Sequence, residues 1–199
     1  MTSAIPLSPL RSRAIMIRQI LFATGFGLAL SAPAWAIGTE DDTPPAPTPT
    51  TTVCTDGMVW DVELAECVKI EESRLPQTPD RLIANVRELA YAERHQDALS
   101  LLGRAPDQAD TMVLTYYGYI TRKAGDMAAG LAYYDRALAA APDNLLARAY
   151  LGLAYLQTGQ QAKAETQLAE IRLRGGAGGW PEQVLAKALQ DGNATRYDY

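Results

Sequence analysis

The chain has 199 residues and a formal net charge of −5. The acidic excess lies in residues 40–72, which hold nine Asp and Glu side chains against one lysine. Nucleic-acid binding is therefore excluded, because phosphate contacts need clustered Lys and Arg. His95 is the only histidine, and it falls in a predicted inter-helix turn, where we expect a structural role and not a part in a catalytic triad. A zinc site would need two ligands besides the two cysteines. We predict no catalytic residue, no metal and no cofactor.

The first 36 residues have the features of a cleaved export signal. Three arginines precede an apolar run from Ile20 to Leu30, and Ala34-Trp35-Ala36 offers small residues at a cleavage site. An uncleaved membrane anchor is the alternative, but the run is short against the ~18 residues that a span needs. We expect cleavage after Ala36 and a mature protein of formal net charge −8 in a bacterial periplasm, or secreted, without stable membrane insertion.

Residues 37–53 are predicted to form an acidic linker that is rich in Pro and Thr. This composition offers too little apolar surface to offset the entropy of ordering the chain, and the prolines keep it extended. A proline-rich docking motif for a partner is the alternative to a plain spacer.

Cys54 and Cys67 are the two cysteines of the chain, and an even pair in an exported protein indicates a disulfide. Between them a turn signal at residues 56–57 is followed by a short strand candidate. Residues 54–69 therefore predict a small disulfide-stapled hairpin, which we expect to lie outside the helical body. Trp60 could stack on a sugar, or it could cover the disulfide or pack on the neighbouring domain.

Amphipathic helices begin after Thr78, a candidate N-cap. From Thr111 to Gly176 one two-helix unit is written twice at a spacing of 34 residues, and such a period is typical of a helical solenoid. A degenerate copy precedes it, with Glu93 at the expected turn glycine. We predict three repeats, near 78–105, 110–142 and 143–175, and a capping helix at 181–191.

The repeated unit resembles the tetratricopeptide repeat in particular residues. The first helices carry a bulky residue before glycine, the second helices open on a small residue, and a proline follows the second helix of the first full copy. The residues concerned are Tyr117-Gly118 and Leu151-Gly152, then Gly130 and Ala164, then Pro142, which Gly176 replaces in the next copy. The resemblance implies an all-α helix–turn–helix solenoid and a binding scaffold, and it does not name the ligand.

In this family the first helices line the concave face of the superhelix. The resemblance therefore assigns a partner-binding groove to Arg87, Tyr91, Tyr116, Tyr119, Arg122, Lys123, Tyr150 and Leu153. Tyrosine and arginine concentrate binding energy in interfaces. Tyr116 and Tyr150 could equally be core residues, whereas Tyr117, Tyr133, Tyr134 and Tyr155 are expected in the core by position.

We interpret the chain as a non-enzymatic, exported scaffold that holds a partner protein or an extended peptide in this groove. The alternative is a protein that binds carbohydrate or cell wall through the Cys54–Cys67 hairpin.

Overall fold

Helices account for most of the chain that the structure describes. The computed structural model describes Met1 and residues 45–73 and 79–195. Within these ranges it has eight α-helices, one short 3-10 helix and one two-stranded antiparallel sheet. The predicted fold class, an all-α helical body preceded by a small hairpin, is confirmed. The export signal beyond Met1, the start of the linker and Thr78 lie outside the described residues.

The helical body consists of three helix–turn–helix pairs and one further helix. These are α2 (Pro79–Tyr91) with α3 (His95–Leu102), α4 (Thr111–Lys123) with α5 (Met127–Ala140), α6 (Leu145–Gln157) with α7 (Gln161–Leu173), and then α8 (Trp180–Asp191). The helices of each pair contact one another, and each second helix also contacts the helix that follows it. The first helices α2, α4 and α6 contact one another in sequence and form one layer of the solenoid.

Short polar residues and left-handed turns set the ends of these helices. The carboxylate of Asp110 accepts hydrogen bonds from the amides of Met112 and Val113 at 2.8 and 3.1 Å, which caps α4. The turns inside the second and third pairs use Gly125 and Gly159, at φ values of +103° and +72°. Glu93 occupies the same turn of the first pair at φ +59°, where a side chain is disfavoured.

A close approach of α4 and α5 explains the glycine pair of the first full copy. A Cβ atom on Gly118 would lie 2.6 Å from Cε1 of Tyr134 and 3.0 Å from the carbonyl oxygen of Gly130. Tyr134 is fully buried, so its ring has no space into which it could move. Gly118 is thus required by the packing of the two helices in its own repeat.

Gly152, the equivalent residue one repeat later, has a different neighbour from the one the repeat predicts. A Cβ atom there would lie 2.5 Å from Cδ2 of Leu185, which belongs to α8. The capping helix packs on both α6 and α7 and buries Val184, Leu185 and Ala188, so it covers the last repeat as predicted. The close contact at Gly152 therefore comes from the cap.

The N-terminal segment is a hairpin with a short helix before it. Strands β1 (Met58–Asp61) and β2 (Glu66–Lys69) pair with Trp60 opposite Cys67, and helix α1 (Pro49–Thr52) lies against β1. The predicted disulfide is confirmed, with the sulfurs of Cys54 and Cys67 2.06 Å apart. We call residues 48–73, including the 3-10 turn Ile70–Glu72, the flap.

The flap packs into the helical body, which the sequence analysis did not expect. Val59 and Ile70 are 0% and 1% exposed and join a single buried cluster that extends to Leu185 in α8. Residues 48–53, assigned above to the linker, also contact α2 through hydrogen bonds. The flap therefore covers the first repeat as α8 covers the last one.

Candidate partner-binding surface

The structure gathers the predicted groove residues in the layer of first helices but buries most of them. Tyr116, Tyr119, Arg122, Tyr150 and Leu153 are all at most 5% exposed. Arg87 and Tyr91 are half-buried, and Lys123 is exposed. The part of this candidate surface that a partner can reach is thus the rim formed by Arg87, Tyr91 and Lys123.

Aromatic rings connect the first helices beneath that rim. Tyr116 meets Tyr119 edge-on at 6.4 Å between centroids, Tyr119 stacks on Tyr150 at 4.9 Å, and Tyr150 meets Trp180 edge-on at 6.1 Å. Such pairs contribute roughly 0.5–1.5 kcal/mol each beyond their buried area. The tyrosines predicted to bind a partner therefore hold α4, α6 and α8 together.

The buried phenols are neutral at any physiological pH. Burial raises the pKa of Tyr116 to about 12, an effect that the nearby Arg87 guanidinium partly opposes. Burial likewise raises the pKa of Tyr150 well above its ordinary value, and the neighbouring tyrosines, Tyr116 first among them, add to the effect. These groups form a rigid, uncharged base for the rim.

Arg122 is also committed to contacts within the protein. Its guanidinium donates a hydrogen bond to Oε1 of Gln157 in α6 at 2.7 Å and a long one to the hydroxyl of Tyr134 in α5 at 3.4 Å. It also lies 5.9 Å from the centroid of the Tyr119 ring. Arg122 therefore joins three helices, and truncating it would weaken the fold as well as any binding.

Three of the tyrosines expected in the core are half-exposed instead. Tyr134 is buried as predicted, whereas Tyr117 and Tyr133 stack on each other at 5.0 Å on the surface. Tyr155 is half-exposed, with the Lys163 ammonium 5.1 Å from its ring centroid. Tyrosine suits both environments because it joins an apolar ring to a polar tip, so helical position alone did not separate them.

The sequence analysis missed the polar residues that attach the flap to the first repeat. Arg94, in the turn between α2 and α3, donates hydrogen bonds to the backbone carbonyls of Thr50, Thr55 and Met58 at 2.6, 3.0 and 2.7 Å. Its Nη2 also lies 2.6 Å from the carboxylate of Asp97. One largely buried guanidinium thus fixes three points of the flap.

Two carboxylates complete this attachment. The carboxylate of Asp97 accepts a hydrogen bond from the amide of Gly57 at 3.0 Å. Both members of the Arg94–Asp97 ion pair are therefore hydrogen-bonded to the flap. Glu88, 5% exposed, accepts the amide of Thr48 at 2.7 Å and the hydroxyl of Thr51 at 2.6 Å. Buried charges need such partners, so the position of the flap is fixed by hydrogen bonds to charged groups as well as by apolar contacts.

His95, beside this attachment, stays neutral around pH 7. Burial lowers the pKa of its imidazole, and the Lys123 ammonium lowers it further while Glu93 opposes them. Its Nε2 is buried and makes no hydrogen bond within the described residues. The described part of the chain holds no cluster of three metal-ligating side chains, and none of its helices has the length and hydropathy of a membrane span.

Comparison with known proteins gives one match. Residues 122–177 match the family model described as tetratricopeptide repeat, a range that runs from the end of α4 through α5 and the third helix pair, α6 and α7. No curated protein and no solved structure matched the chain. The matched range contains the turn glycines Gly125 and Gly159 and the close-approach residue Gly130.

Proposed function

This chain is a tetratricopeptide repeat protein, and on that premise we propose that it is a non-enzymatic periplasmic scaffold that holds a partner protein or an extended peptide on its concave face. The observation that supports this most is the continuous layer of first helices, braced from below by the stacked tyrosines. A braced surface loses little entropy when a partner binds.

Within this proposal the contacts come from the rim and not from the buried tyrosines. Arg87 lies with its guanidinium 5.6 Å from the centroid of the Tyr91 ring, and Lys123 extends from the end of the neighbouring first helix. A cation over an aromatic ring, together with a second cation on the neighbouring first helix, suits a peptide that carries acidic and apolar side chains. Tyr119 and Arg122, which are at most 5% exposed, support this rim from within the fold.

Site-specific photo-cross-linking in the native cell envelope tests the face directly. A photoreactive amino acid in place of Tyr91 should give one defined cross-linked product. The same photoreactive amino acid in place of Tyr155, a half-exposed residue of α6 outside the rim, should give none. The Arg87→Ala, Lys123→Ala double variant should abolish the product at position 91. Equal products at both positions, or a product that survives the double variant, would contradict the proposal.

Periplasmic location is part of the same proposal and depends on the signal in residues 1–36. Sequencing of the exported protein from its N-terminus should begin at Ile37. A mature chain that still carries the apolar run from Ile20 to Leu30 would show that the segment is an anchor.

A further inference from the structure

A cleft of about 420 Å³ lies between the flap and the N-terminal half of α2. Thr48, Pro49, Thr50, Trp60 and Val62 line it from the flap, and Arg81, Ala84 and Asn85 line it from α2. Its volume lies within the range of ~300–1,000 Å³ that is usual for small-molecule sites. The flap makes its hydrogen bonds to Glu88 and Arg94 further along the chain, whereas the cleft lies beside the first turns of α2.

Polar groups in the cleft differ from those at the rest of the flap interface. Glu88, Arg94 and Asp97 each bind the flap, whereas Arg81 and Asn85 make no hydrogen bond, ion pair or ring contact to the described residues. The two are four residues apart and therefore share one face of α2. Their donors and acceptors are left available beside an aromatic side chain.

The flap presents apolar surface at the same place. Alternation along β1 puts Val59 in the core and turns the half-buried Trp60 to the opposite face of the strand. Val62 lines the cleft and is 72% exposed, and Leu64 beside it in the hairpin turn is 52% exposed. Such grouped exposure of large apolar side chains is typical of a contact surface.

We propose that this cleft binds a neutral oligosaccharide, with a sugar ring against Trp60 and the ring hydroxyls hydrogen-bonded by Asn85 and Arg81. A sugar offers an apolar ring face together with hydroxyls that both donate and accept, which matches an indole opposite an amide and a guanidinium. This site is separate from the rim of the concave face and does not depend on the function proposed for it.

Charge and backbone geometry select this ligand class. No acidic residue is among the described residues that line the cleft, so a cationic ligand has no partner there. Polyanions are disfavoured because the chain without residues 1–36 has a formal net charge of −8, with nine acidic residues in 40–72. Addition of a peptide strand along β1 is hindered, because the outward amide of Trp60 already donates to Oγ1 of Thr50 at 3.1 Å.

Calorimetric titration of the exported protein with cellotriose and chitotriose tests the inference. At least one of these neutral sugars should bind with a Kd of about 1 mM or tighter. The Asn85→Ala and Arg81→Ala variants should each weaken binding about tenfold, because each removes hydrogen bonds to the ligand. Both positions are on the surface of a helix, where alanine is well tolerated, and Trp60→Ala should abolish binding.

Arg136→Ala is the matched control, since this exposed arginine lies over Tyr133 on a second helix. It should bind the sugar as the unchanged protein does, and so should the Arg87→Ala, Lys123→Ala rim variant. Failure of both neutral sugars to bind overturns the inference. It is equally overturned if trigalacturonate or a proline-rich peptide binds in their place, or if Asn85→Ala and Arg81→Ala bind as tightly as Arg136→Ala.

Discussion

Replacement of Arg94 by alanine should release the flap and destabilise the first repeat. The change removes the donors to the carbonyls of Thr50, Thr55 and Met58 and leaves the carboxylate of Asp97 without its cation. Breaking a buried charge pair by removal of one partner costs about 3–5 kcal/mol. Asp97 keeps the amide of Gly57, so we expect a loss of free energy of unfolding near the lower end, about 3 kcal/mol.

Urea unfolding followed by circular dichroism measures this loss, and hydrogen exchange locates it. The amides of Gly57 and Ile70 should lose protection first, because their bonds to Asp97 and to the Gly57 carbonyl depend on the docked flap. Arg94→Lys should recover only part of the stability, since one ammonium cannot reach three carbonyls at once. A loss below about 1 kcal/mol, the size typical of an exposed pair, would refute the reasoning.

Three further outcomes follow from the same contacts. Gly118→Ala and Gly152→Ala should each lower the free energy of unfolding by about 1–3 kcal/mol in urea titrations, because the added Cβ meets a fully buried side chain, Tyr134 at the first site and Leu185 at the second. Near-neutral effects at both sites would contradict this packing. Reduction of the Cys54–Cys67 disulfide should lower the melting temperature of the helical body, measured by circular dichroism with and without reductant, because the flap is part of the core; an unchanged melting temperature would show that the flap is independent. Burial gives His95 a folded-state pKa below its unfolded value, so its protonation favours unfolding and the free energy of unfolding should fall as the pH drops below about 6.5. In urea titrations a His95→Gln variant should lose less stability between pH 7 and pH 5 than the unchanged protein. An equal loss in both proteins would assign the effect to other groups.

The repeats could be predicted from sequence because their signals are local. The glycines at the turns act within one or two turns of helix, and the spacing of 34 residues repeats them from one unit to the next. The disulfide was predictable for a similar reason, since the two cysteines had no other partner in the chain. The two equivalent glycines show the limit of this reasoning. The repeat predicts that Gly118 lies against the second helix of its own pair, which it does, whereas Gly152 lies against Leu185 of α8, a contact that the repeat does not contain.

The attachment of the flap was not predictable because it is tertiary and polar. Arg94 directly precedes α3 and Asp97 lies in its first turn, and this spacing of three residues is usual for a solvated surface pair. Glu88 is a single glutamate in an amphipathic helix, and such a charge is usually solvated. Only the folded chain brings residues 48–58 onto these side chains, about 40 positions away in sequence, as the contact of Thr48 with Glu88 shows.

The two ends of the solenoid are covered by different means, and the difference bears on binding. At the C-terminal end α8 buries an apolar stripe. At the N-terminal end the flap buries Val59 and Ile70 and also makes hydrogen bonds, each with a defined direction, to the first repeat. Directional bonds hold the flap in one orientation relative to α2, so Trp60 and Asn85 line one cleft before any ligand arrives. A site held in this way loses less entropy on binding than a mobile loop would. The residues that the sequence analysis missed are therefore the ones that organise the cleft.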